Sequence, residues 1–120
     1  MTDAPRTSRE FVSWLVGRHP DLAPLLDQHL GDYDELLPHV LFGDVTRYAA
    51  ALARRGDLDD LNGLLSDLDH ALGDSDDEVD NLISVSFVEN AQGVAGDDEA
   101  ELRQEIRGHR NLARQLSRYE

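Results

Sequence analysis

Ten carboxylates lie between Asp57 and Asp80 (Asp57, Asp59, Asp60, Asp67, Asp69, Asp74, Asp76, Asp77, Glu78, Asp80), and His70 is the one residue among them that can carry positive charge. Carboxylates at that density can ligate calcium or attract a basic macromolecule. The calcium reading fails on spacing. Asp74-Ser75-Asp76-Asp77-Glu78-Val79-Asp80 imitates the alternating acids of an EF-hand loop, but Val79 stands where the sharp turn needs glycine and Val85 where a bidentate glutamate is needed. Attraction of a basic protein is the better use of such a surface, because ten like charges repel one another and mixed charges would not. The expected partner-binding residues are Asp59, Asp60, Asp67, Asp69, Asp74, Asp76, Asp77 and Asp80.

Other chemistry is thinly supplied. His19, His29 and His39 with Asp32 and Asp44 are metal-ligand types, yet their spacing matches no ligand pattern, and they read better as surface or hydrogen-bonded core histidines. Cysteine is absent, which excludes disulfides, thiolate catalysis and cysteine-held metals. Serine nucleophile motifs, phosphate-cradling glycine loops and dinucleotide fingerprints are also missing. No catalytic residue, metal or cofactor is therefore expected. Glu89 falls at the carboxyl end of an apolar helical stretch, where the helix dipole disfavours negative charge, and Arg47 is its expected partner. Tyr33, His39, Asp44, Arg47, Glu89 and Asn90 accordingly form a secondary polar site.

The chain has 120 residues, enough for one domain with one core, and its 25 acids against 11 arginines give a net charge of −14. That charge opposes direct binding to nucleic acid and adsorption on anionic membranes. Apolar runs are broken by Pro38, Gly43 or Arg54 before they reach the roughly 20 residues that span a bilayer. The apolar stretch 11–16 lacks the length and cleavage site of a secretory signal, so a cytoplasmic location is expected.

The acids must be held by helices. Leu58, Leu61, Leu65, Leu68 and Leu72 recur at three and four residues, which predicts a helix over 58–72 with Asp60, Asp67 and Asp74 on the side away from the leucines. Before it, the capping box Thr7-Ser8-Arg9-Glu10 starts a helix running to about Arg18. Residues 23–30 form a short helix ended by Gly31, and residues 36–55 a third helical region, bent or restarted at Gly43-Asp44 and closed by Gly56. Ser75-Asp76-Asp77-Glu78 opens a fifth helix through Val79, Leu82, Ile83, Val85, Phe87 and Val88, apolar on nearly every side and therefore central. A last helix over 99–118 carries Arg103, Arg107, Arg110, Arg114 and Arg118 as one basic stripe, expected to pair with the acidic helices.

The segments Tyr33-Asp34-Glu35-Leu36-Leu37-Pro38-His39-Val40-Leu41-Phe42-Gly43-Asp44-Val45-Thr46-Arg47-Tyr48 and Asp77-Glu78-Val79-Asp80-Asn81-Leu82-Ile83-Ser84-Val85-Ser86-Phe87-Val88-Glu89-Asn90 resemble the signature stretches of a family of small, acidic, all-helical bacterial proteins of uncharacterised function. The resemblance covers about residues 20–116. It departs near the end, where the family resembles Gly-Pro-Asn-Leu and this chain reads Gly108-His109-Arg110-Asn111-Leu112. In size and architecture that family is similar to immunity proteins that neutralise polymorphic toxins, which implies an inhibitor acting by occlusion.

The expected fold is a single all-α domain, residues 1–120, a bundle of about six helices with a hairpin at 58–89 like one unit of a helical repeat. The expected function is non-catalytic: an immunity-type inhibitor binding a basic toxin or enzyme surface. The alternatives are an acidic adaptor or nucleic-acid mimic that fills a nucleic-acid-binding groove, and a metal-dependent enzyme built on His39, Asp44 and Glu89.

Overall fold

The computed structural model describes residues 7–74, 77–88 and 100–118. These form an all-α bundle of seven α-helices with one 3₁₀ turn and one π-helical turn. Helix α1 (Ser8–Arg18) starts as the capping box dictates, with Thr7 Oγ1 accepting from Glu10 N at 3.1 Å. The Glu78 carboxylate accepts from Ser8 N, so an acid distant in sequence also neutralises the positive end of α1. A 3₁₀ turn (Pro20–Leu22) leads into α2 (Ala23–Tyr33). Gly31 does not end α2. The helix runs through it and stops at Asp34, a residue whose short polar side chain tolerates the left-handed backbone it adopts at φ 60°.

Helix α3 (Pro38–Arg55) passes Gly43-Asp44 without a break and closes at Gly56, φ 79°. There Gly56 N donates to Ala53 O and Asp57 N to Leu52 O at 3.0 Å, the paired bonds of a Schellman end that requires the left-handed glycine. Helix α4 (Leu58–Asp74) buries Leu61, Leu64, Leu65 and Leu68 but leaves Leu58 41% exposed. Its neighbour α5 (Asp77–Ile83) packs back on it as the expected hairpin and also touches α1 and α3.

The chain then widens into a π-helical turn (Ser84–Val88), which packs on α3, α5 and the last helix. In an unbroken α-helix Val88, nine residues after Val79, would face the opposite side, about two and a half turns on. The i→i+5 winding rotates each residue less. Phe87 and Val88 are thereby brought inside with Val79 and Ser86, while Val85 points out at 40% exposure. The fifth segment is central, as its apolar wrap implied, but by π rather than α geometry.

The expected last helix is two: α6 (Ala100–Ile106), packed on α3, and α7 (Arg110–Ser117), packed on α4 and the π turn. The break at residues 107–109 has a tertiary cause. Asp69 Oδ1 on α4 accepts from both Asn111 N (2.7 Å) and Leu112 N (2.9 Å), capping a new helix start from another element. One core runs through all these elements, with Phe11, Phe42 and Phe87 fully buried in it. No described helix is long and apolar enough to cross a membrane.

Candidate functional site

The acidic segment divides by role. Asp67, expected to face away from the core, is only 13% exposed: its Oδ2 accepts from Arg18 Nε at 2.8 Å and lies 2.6 Å from His19 Nε2. The hydrogen bond and charge of Asp67 raise the Arg18 guanidinium above its ordinary value, and the Arg18 head also lies 5.3 Å from the Trp14 ring centre. Asp69 caps α7, and Glu78 serves the start of α1. Asp77 is exposed and Asp80 half-buried. Asp76, Glu89 and Asn90 lie outside the described residues, as does the side chain of Asp74; the calcium-like stretch is therefore not described as a whole. What faces solvent at the α3–α4 corner is Asp57, Asp59 and Asp60. Asp57 holds Arg55 at 2.9 Å, whereas Asp59 and Asp60 make no ion pair among the described residues.

Beside that corner the 3₁₀ turn, α1, α3 and α4 enclose a cleft of about 190 Å³ whose walls include Arg18, His19, Asp21, Tyr48, Asp60 and Leu64. Its guanidinium, Arg18, and its imidazole, His19, both already meet Asp67. Tyr48, half-buried on α3, donates from its hydroxyl to Asp21 Oδ2 at 3.4 Å. Burial raises the Tyr48 phenol pKa above its ordinary 10.0, and the charges of Asp21 and Asp60 push the same way, with Arg55 opposing. The neutral phenol is thus favoured by folding. Its contribution is complete below pH 10 and is lost as the pH climbs through the raised folded value. In an absorbance titration Tyr48→Phe should remove a phenolate transition above pH 10, and it should flatten the alkaline fall in stability. A titration curve reduced equally at all pH values would show that Tyr48 is not set apart by this cleft.

The secondary polar residues do not gather into one site. The Tyr33 ring lies tilted against buried His29 at 4.9 Å between ring centres, and His29 Nε2 accepts from Leu37 N at 2.9 Å. His39 Nδ1 meets Ser86 Oγ at 2.5 Å, while Thr46 Oγ1 donates to Phe42 O at 2.7 Å and lies 3.3 Å from Ser86 O. Arg47 pairs with Asp44 one turn back on α3; Glu89, its expected partner, is not described. His39 and Ser86 join an imidazole to a hydroxyl, yet Ser86 is only 6% exposed. The three histidines bind Asp67, a backbone N–H and a serine in three separate places. Among the described residues no group of three or more His, Asp or Glu could hold a metal ion.

At the end of the basic stripe, Arg110, Arg114 and Arg118 are exposed and make no ion pair among the described residues. Sequence reasoning also missed the Tyr48 cleft, since Tyr48 enters there only as the last residue of the first signature stretch. The available signal was its phenol, which usually finds a polar partner when its ring is buried.

A family model described as a domain of unknown function, DUF7674, matches residues 12–111. No curated protein and no solved structure matches the chain. The described parts of both signature stretches lie within the matched span, and they meet where His39 and Thr46 of α3 reach Ser86 of the π turn. The matched span runs from within α1 into α7 and takes in the Tyr48 cleft, and the chain belongs to the DUF7674 family.

Proposed function

We propose that this chain is a non-catalytic interaction protein, an immunity-type inhibitor that covers a basic surface of a toxin or enzyme with the acidic corner at the start of α4. The observation that carries this reading is the pair Asp59 and Asp60, exposed and without ion pairs among the described residues, on a helix anchored by buried Leu61, Leu64 and Leu65. Rigid, unneutralised carboxylates on a chain of net charge −14 steer a basic partner and raise its association rate. Exposed Leu58 beside them adds apolar contact. Occlusion of the partner's surface is the mechanism, and it requires no reacting group on this chain.

A pull-down from the native cell, read by mass spectrometry, supplies the partner, and the association kinetics then test the reading. Asp59→Arg with Asp60→Arg should leave the helical circular dichroism unchanged and slow association by about tenfold or more at low salt. The difference should shrink above physiological ionic strength. Asp67 is kept native in this test because reversing it would set a cation against Arg18 and break the contact with His19. An unchanged association rate would reduce the acidic corner to a solvated face.

A further inference from the structure

We propose that the cleft formed by Tyr48, Asp21 and Asp60 is the receptor for a single arginine side chain of the partner, which would lay its guanidinium against the tyrosine ring between two carboxylates; this rests on the interaction reading above and names its anchor. Size limits the occupant. At about 190 Å³ the cleft is below the roughly 300 Å³ at which small-molecule and cofactor pockets begin, and it suits one side chain. Charge then selects the chemistry. The cleft's own basic side chains, Arg18 and His19, both converge on Asp67, and Asp21 and Asp60 have no ion-pair partner among the described residues. An anion entering here would face two carboxylates.

Two details favour arginine over lysine. The carboxylates come from different elements, the 3₁₀ turn and α4, and a planar guanidinium with five donors can bond both while stacking on an aromatic ring; an ammonium offers a compact point charge. The Tyr48 hydroxyl reaches Asp21 only at 3.4 Å, well beyond the usual O–H···O length of about 2.7–2.8 Å, so that carboxylate keeps most of its accepting capacity. Burial is the main cause of the raised Tyr48 phenol pKa, to which the charges of Asp21 and Asp60 add and the more weakly acting charge of Arg55 is opposed.

The probe is N-acetyl-arginine methylamide, titrated into the full chain at low salt and followed by amide and tyrosine-ring NMR shifts, with the lysine and norleucine analogues as controls. Saturable shifts confined to Asp21, Tyr48 and Asp60, strongest for arginine and absent for norleucine, are the expected result. Asp21→Asn with Asp60→Asn, both at exposed positions, should weaken binding by roughly tenfold or more. Tyr48→Phe, which keeps the ring, should weaken it far less. Shifts that never saturate and appear equally at Asp59 and Asp77 would mean a counterion atmosphere and overturn the proposal, as would full binding by the double asparagine variant. Asp59→Arg alone leaves the cleft intact and separates the two readings. If it slows association with the partner while the arginine probe does not bind the wild type, the acidic corner stands and the cleft falls.

Discussion

Replacing Phe87 with alanine should lower the unfolding free energy by about 3–5 kcal/mol, the range for truncating a large aromatic side chain in a core. Phe87 is fully buried within a turn that packs against α3, α5 and α7, so truncation opens a cavity where several helices meet and no single one can collapse into it. With total stability of about 5–15 kcal/mol for a typical domain, the loss would leave the protein close to its threshold. Val85→Ala is the matched control. Two residues earlier in the same turn but 40% exposed, it should change stability by less than about 0.5–1 kcal/mol. Denaturant midpoints measured for both variants check which side of the turn faces the core. If Val85→Ala cost as much as Phe87→Ala, Val85 would be packed inside and the described orientation of the turn would be wrong.

The contrast between these neighbours marks the limit of what periodicity reveals. Local signals were readable wherever the physics is local: the Thr7 cap, the closure at Gly56, the leucines of α4. Each is settled by bonds within a few residues or by a 3.6-residue repeat. Gly31 and Gly43 carry the same stop signal as Gly56 but lie inside helices, because tertiary packing can offset the roughly 1 kcal/mol that a helical glycine costs. Gly108 sits at a real break, where Asp69 on another helix supplies the cap that local sequence lacks. The π turn is likewise invisible to a fixed 100° rotation per residue.

The candidate site was hidden for a similar reason. Asp21, Tyr48 and Asp60 come from three elements: Asp21 alone reads as a turn acid, Tyr48 as a packing aromatic, and Asp60 as one acid of the partner-binding face with nothing to join it to the other two. A one-dimensional charge count recognised the acidic segment but could not sort it. Asp67 and Asp69 carry the same charge as Asp59 and Asp60 and sit on the same helix, yet they hold α1 and α7 in place. A carboxylate opposite a leucine stripe faces solvent only where nothing further covers it, and the Arg18 and His19 side chains and α7 cover the later turns of α4.

That division gives Asp69 the second large effect. Its carboxylate accepts two backbone N–H groups of α7, and its carbonyl accepts Asn111 Nδ2 at 3.0 Å, so one residue ties together segments more than forty positions apart. Alanine would leave two helix-start donors without their acceptor at a part-buried junction and remove a favourable charge from the positive end of α7. The loss should be about 2–3 kcal/mol, since hydrogen bonds to charged groups contribute about 1.5–3 kcal/mol and a helix cap about 0.5–2 kcal/mol. Asparagine keeps an oxygen at the same place without the charge and should recover about half. Hydrogen exchange distinguishes a local effect from a global one: the amides of Asn111 and Leu112 should lose more protection in Asp69→Ala than those of α3. Equal stability of wild type and Asp69→Ala, with α7 amides unchanged, would mean that α7 starts without help from α4, and would return Asp69 to the residues available for a partner.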